Sequence, residues 1–195
     1  MSGHRGGPLS PPGPRMPYDP TELNAAGGSH VTLREIQEPI KARYQTEPGA
    51  ARITLRATGS TAGGAMSCSV DLGRALYAAG AHPGVGGSGS AACSGDLALA
   101  ALAACAQLTC QMVAANMGLE GVGISVTVEG DLDLRGTLGT ADVPVGFEAI
   151  RVRFELSGDV PAERLEKLKE RTERYCVVLQ TLLNPPAIEA AWSVA

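Results

Sequence analysis

Cys105 closes an almost uncharged, alanine-rich run, GDLALAALAAC, and Cys176 ends a strongly charged helical run, ERLEKLKERTERYC. A thiolate attacks a peroxide oxygen and becomes a sulfenic acid, and a second thiol then condenses with that acid to form a disulfide. If folding brings these two sulfurs together, the chain holds both parts of that sequence. The plain alternative for Cys105 is a small apolar core residue, which is where free cysteines commonly lie. Cys176 follows Arg171 and Arg174. The terminal carbonyls of its helix disfavour a thiolate while the arginines favour one, so it suits the second attacker better than the first.

Other chemistries find less support. His82, Cys93, Cys105 and Cys110 have no C-x-x-C spacing. Cys105 and Cys110 would point about 140° apart on a helix, which is poor geometry for tetrahedral zinc. No metal or cofactor is expected, and Cys68, Cys93 and Cys110 are read as structural. GVGGSGS lacks the GK[ST] ending of a P-loop, and His4, His30 and His82 all fall in tail or loop, so no Ser/His/Asp arrangement emerges. Asp96 starts the apolar run as a carboxylate favoured by the helix macrodipole. It precedes Cys105 by about 13.5 Å of helix axis and half a turn, so the two could share a site only across two subunits.

The elements that must position these groups follow from pattern. Residues 1–30 are rich in Pro, Gly and Ser and read as a mobile tail. Leu33, Ile36 and Ile40 mark a short amphipathic helix, a helical extension over 32–46, with Pro39 as a candidate kink. Alternation over 52–56 and 66–72 around the Gly-rich turn 59–64 reads as a hairpin. GAHPGVGGSGSAACSG, at 80–95, is too glycine-rich for regular structure and leads into the apolar helix, which Gly118 and Gly121 stop. Strands are expected over 122–133 and 147–156, with Val122, Ile124, Val126 and Val128 on one face and Ile150, Val152, Phe154 and Leu156 on its partner's. Asp159 as cap and Pro161 as first-turn residue begin a helix with a Leu165/Leu168 stripe that ends at Cys176. Pro185-Pro186 ends the next segment, and 188–194 reads as a last strand.

That order gives an α+β fold with helices packed on antiparallel sheet, in one domain over 31–195. The apolar content of 44% is enough for a sizeable core. Leu97–Leu119 carries no charge and is long enough to span a bilayer. It has more alanine than leucine, carries Gln107, Thr109, Gln111 and Asn116, and has no flanking basic cluster, so a buried helix of a soluble core is the better reading. A net charge of -4 leaves no electrostatic footprint for nucleic acid. The opening residues have no apolar stretch for export, and five cysteines, an odd number, do not form a disulfide framework, so a cytoplasmic protein is expected.

These residues resemble the OsmC/Ohr family of hydroperoxide-reducing proteins. GDLALAALAAC is similar to the family's small-residue helix with its reactive cysteine, and ERYCVVLQTLLNPP to its second cysteine motif; GGSGSAACSG and GDLDLRG also fit, and the resemblance covers roughly 50–195. It implies that Cys105 is the peroxidatic and Cys176 the resolving thiol, with Asp96 standing where the family has a glutamate. Ser94-Gly95-Asp96 in place of Pro-Glu is nearer the broader OsmC-like branch. The family also uses an arginine, for which Arg56, Arg74 and Arg135 are candidates. The resemblance further implies an intertwined homodimer with a long buried central helix, organic hydroperoxides as substrates, and reset by a dithiol or lipoyl-type reductant. The alternative is a catalytically weak dimer on the same scaffold that binds a ligand or senses redox state through its thiols.

Overall fold

Pairing decides where the strands of this chain begin and end. The structure is a computed structural model that describes residues 33–54, 57–61, 67–72, 75–119 and 121–194. The expected tail over 1–30 lies outside them, and Leu33–Ala195 form one unit. Helix α1 spans Leu33–Thr46 with Pro39 inside it, and a 3-10 turn follows at Pro48–Ala51. Strands β1 (Thr58–Thr61), β2 (Ser67–Asp71) and β3 (Leu76–Gly80) form an antiparallel sheet in that order.

The first strand was expected over 52–56, but residues 52–54 are unpaired and Leu55 and Arg56 lie outside the described residues. The reason is register. Thr58 already pairs with Asp71, and Leu72 N–H turns back to the Ala75 carbonyl at 3.0 Å, so β2 has no further residue to offer an earlier strand. β3 lies within a stretch for which the pattern gave no element. After it the glycine-rich loop folds tightly on itself: His82 Nδ1 accepts from Gly84 N–H at 3.0 Å, and a Cβ on Gly87 would lie 1.7 Å from the Ala81 carbonyl oxygen. Only glycine permits that approach.

Helix α2 spans Ser94–Asn116. Gly118, at φ 65°, ends it, and Leu119 N–H reaches the Ala114 carbonyl at 2.9 Å, a Schellman closure. Strands β4 (Gly123–Leu132) and β5 (Phe147–Ser157) pair antiparallel, with Ile124 opposite Leu156, Val126 opposite Phe154 and Val128 opposite Val152. These six are the half-buried face, as the alternation requires. A five-residue helix, α3 (Leu134–Leu138), capped by Asp133, lies between the two strands.

Helix α4 spans Ala162–Tyr175 and α5 spans Val177–Leu183. The expected cap, Asp159, is not the capping residue. Pro161 takes that position with extended backbone, and its carbonyl accepts from Arg164 and Leu165. Leu168 is buried, while Leu165 stays 38% exposed. The expected strand over 188–194 does not form: among the described residues no strand pairs with it, and Ile188 and Trp192 are 88% and 96% exposed. Alternation makes a segment competent for pairing, but a strand also needs a free edge within reach.

The core is one apolar band on α2. Cys110, Val113, Ala114, Leu119 and Leu168 form one cluster, and Leu102, Ala106 and Cys176 a second, both packed against the inner face of β4 and β5. The opposite side of α2 is open, with Leu108 59% and Met112 40% exposed. Length and composition would also let α2 cross a bilayer, and 33% of its most apolar stretch is buried within the chain. Leu168→Ala should remove about 3 kcal/mol of stability in a denaturant titration, whereas Leu183→Ala, at an exposed site, should change it by less than about 0.5 kcal/mol.

Candidate functional site

Two sulfurs meet where α2 passes the junction of α4 and α5. Cys105 is half-buried on α2 and packs against the cluster of Leu102, Ala106 and Cys176, with Val126, Val128, Ile150, Val152, Val178 and Leu179 around it. Cys176 is completely buried. It is at once the last cap of α4 and the first of α5: its N–H donates to the Thr172 carbonyl at 3.0 Å and its own carbonyl accepts from Gln180 at 2.9 Å. The chain breaks its helix for a single residue there. Backbone N–H groups at the start of α5 are thereby left free of intrahelical partners and directed at the sulfurs.

The two thiols are tuned in opposite directions. Burial opposes a thiolate at Cys105, but N–H groups of Val178 and Val177, the Cys176 thiol and the Thr109 hydroxyl together outweigh it, and the pKa falls below the ordinary 9.0. Thr109 Oγ1 stands 4.0 Å from Cys105 Sγ. At Cys176 burial again opposes the thiolate, and the hydrogen bond and negative charge at Cys105 add to it; the Leu179 and Val178 N–H groups do not compensate, so its pKa rises. The arrangement favours a Cys105 thiolate facing a protonated Cys176.

The other cysteines stand apart from this pair. Cys110 is buried in the core, and burial pushes its thiol up despite the nearby Thr172 hydroxyl. Cys93 caps α2, its Sγ accepting from Asp96 N–H at 3.4 Å. Cys68 lies in β2. Asp96 completes the capping box by accepting from Cys93 N–H at 2.9 Å, and that bond holds its carboxyl below the usual range. It is exposed at the far end of the helix from Cys105, and the single chain does not bring the two together.

Among the candidate arginines, Arg135 pairs with Asp133: its Nε lies 3.0 Å from both Asp133 oxygens, and it lowers that carboxyl to about 2. Arg56 and Arg74 lie outside the described residues. Sequence reasoning missed the groups that act on Cys105 most directly, the Val177 and Val178 N–H groups and Thr109. Thr109 had a signal in its i, i+4 spacing from Cys105, whereas the N–H groups belong to the backbone and had none.

An OsmC-like protein family model matches residues 87–191. No curated protein matches the chain. Among solved structures, an OsmC-like protein from Mycoplasma pneumoniae superposes with a TM-score of 0.57 at 16% identity, over 68% of this chain and 89% of that one. An organic hydroperoxide resistance protein from Elizabethkingia anophelis gives 0.52 at 18% identity, over 69% and 91%. An organic hydroperoxide resistance protein OsmC from Legionella pneumophila gives 0.50 at 19%, over 69% and 92%. At such identities these likenesses speak for the fold alone.

The opposed tuning has a direct readout. Titrating thiolate absorbance should show a first ionisation below 9.0, with thiolate rising as pH rises through it, and Cys105→Ser should remove that step.

Proposed function

Because the chain belongs to the OsmC/Ohr family, we propose that it is a thiol-dependent peroxidase acting on organic hydroperoxides, with Cys105 as the attacking and Cys176 as the resolving thiol. The observation that carries this reading is the Cys105/Cys176 pair itself, one thiol held toward the thiolate and the other kept protonated beside it. In the proposed cycle the Cys105 thiolate attacks the distal oxygen of ROOH. An S–O bond forms, the O–O bond breaks, and the alkoxide leaves as ROH after taking a proton. The Cys176 sulfur then attacks the sulfenic sulfur, an S–S bond forms, and water departs. An external dithiol, small or lipoyl-bound, reduces that disulfide and is itself oxidised.

The surroundings suit this chemistry. Cys105 packs on the same apolar cluster of Leu102, Ala106 and Cys176 as Val126, Val128, Ile150 and Val152, a setting that favours an alkyl or acyl peroxide over hydrogen peroxide. A homodimer accompanies the reading. The exposed Leu108 on α2 and the unpaired segment with Ile188 and Trp192 are apolar surface that a second copy would cover, and a partner's α2 is the route by which Asp96 would approach Cys105.

Cys105→Ser should abolish consumption of cumene hydroperoxide with a dithiol donor, a loss of at least about a thousandfold on the scale of removing a nucleophile. Cys93→Ser and Cys110→Ser should retain most of the turnover. Cys176→Ser should leave a sulfenic acid on Cys105 that dimedone labels after one peroxide pulse. Undiminished turnover in Cys105→Ser would exclude the mechanism, and oxidation of Cys105 without steady turnover would point instead to a redox sensor.

A further inference from the structure

Helix α1 precedes the residues that the family model matches, and it does more than extend the chain. It lies against α2, where Asn116 Nδ2 donates to Gln37 Oε1 at 3.5 Å. Between α1, α2 and α4 this leaves a cleft of about 440 Å³, within the size range of small-molecule sites. Lys41 from α1 and Arg171 from α4 line it, and so do Gln37, Asn116 and Tyr175. Met112 and Val113 supply its apolar wall.

Charge separates this cleft from the others. Neither Lys41 nor Arg171 has an ion-pair partner among the described residues, and no carboxylate lines the cleft. The neighbouring clefts do contain carboxylates: Lys41 also borders one that holds Glu38, Arg171 also borders one that holds Glu170, and Glu166 and Glu173 line the cleft between α4, α5 and β5. Two unpaired cations and two amide side chains beside an apolar wall suit an anionic head on an apolar body. Thr109 also lines the cleft, and its hydroxyl is 4.0 Å from Cys105 Sγ. The cleft therefore ends one side chain away from the thiol.

We propose that the cleft between α1, α2 and α4 is a binding site for a small amphiphile bearing a carboxylate, with Lys41 and Arg171 holding the carboxylate and Met112 and Val113 the apolar body. The site is separate from the peroxide chemistry and touches it only through Thr109. Its occupancy is measured without turnover, so failure of the peroxidase reading and failure of this one are distinguishable.

Calorimetric titration of the full chain with decanoate and with methyl decanoate, both below their aggregation concentrations, tests the proposal. Decanoate should bind at least about tenfold more tightly than the ester, as hydrogen-bonded charge recognition requires. That advantage should shrink as salt is added. Lys41→Ala and Arg171→Ala should each lose most of it, Arg171→Lys should keep part of it, and Lys169→Ala, on the other cleft, should keep all of it. Matching circular dichroism melts establish that the variants are folded. Equal binding of acid and ester, no binding of either, or decanoate binding unchanged in both alanine variants would overturn the proposal.

Discussion

A one-residue break between two helices sets the electrostatics of the sulfur pair. Had α4 run on through Cys176, the N–H groups of Val177, Val178 and Leu179 would have been used within that helix. Because the chain stops at Tyr175 and restarts at Val177, those donors turn toward the two sulfurs. They favour a thiolate at Cys105, which is half-buried, but do not overcome the burial of Cys176. Two chemically identical side chains are thus shifted in opposite directions through backbone geometry and depth. A cysteine pair with one ready nucleophile and one protonated partner is what the proposed cycle needs.

Helix α2 carries this arrangement on one of its faces. Leu102, Ala106, Cys110, Val113 and Ala114 fix it against β4, β5 and α4, and Cys105 and Thr109 lie on the margin of that buried band. Small residues permit the close approach: a leucine at position 106 would drive α2 away from the α4–α5 junction and separate the sulfurs. The outward face, with Leu108 and Met112, is apolar beyond what a solvated helix needs. In the proposed dimer the Leu108 side of that face lies in the contact.

Patterns of local origin were legible in the sequence. The β4–β5 face could be read from its alternation, α4 from its charged amphipathic run, and the end of α2 from Gly118. Features set by partners were not. β1 lies later in the chain than its alternation suggested because β2 ends at Asp71, and 188–194 pairs with no strand among the described residues. For the site, the two cysteine motifs pointed to the pair, but the N–H donors belong to backbone and leave no residue-type signature. Arg135 illustrates the converse: its residue type made it a candidate, and its short-range pairing with Asp133 uses it elsewhere.

Peptide mapping after one equivalent of an organic hydroperoxide, with free thiols blocked before digestion, tests the sulfur pairing most directly. A disulfide joining the peptides that contain Cys105 and Cys176 is expected, with two thiols lost per chain and Cys93 and Cys110 still alkylated. Peroxide consumed while both thiols remain free, or a disulfide from Cys105 to Cys110 instead, would contradict it.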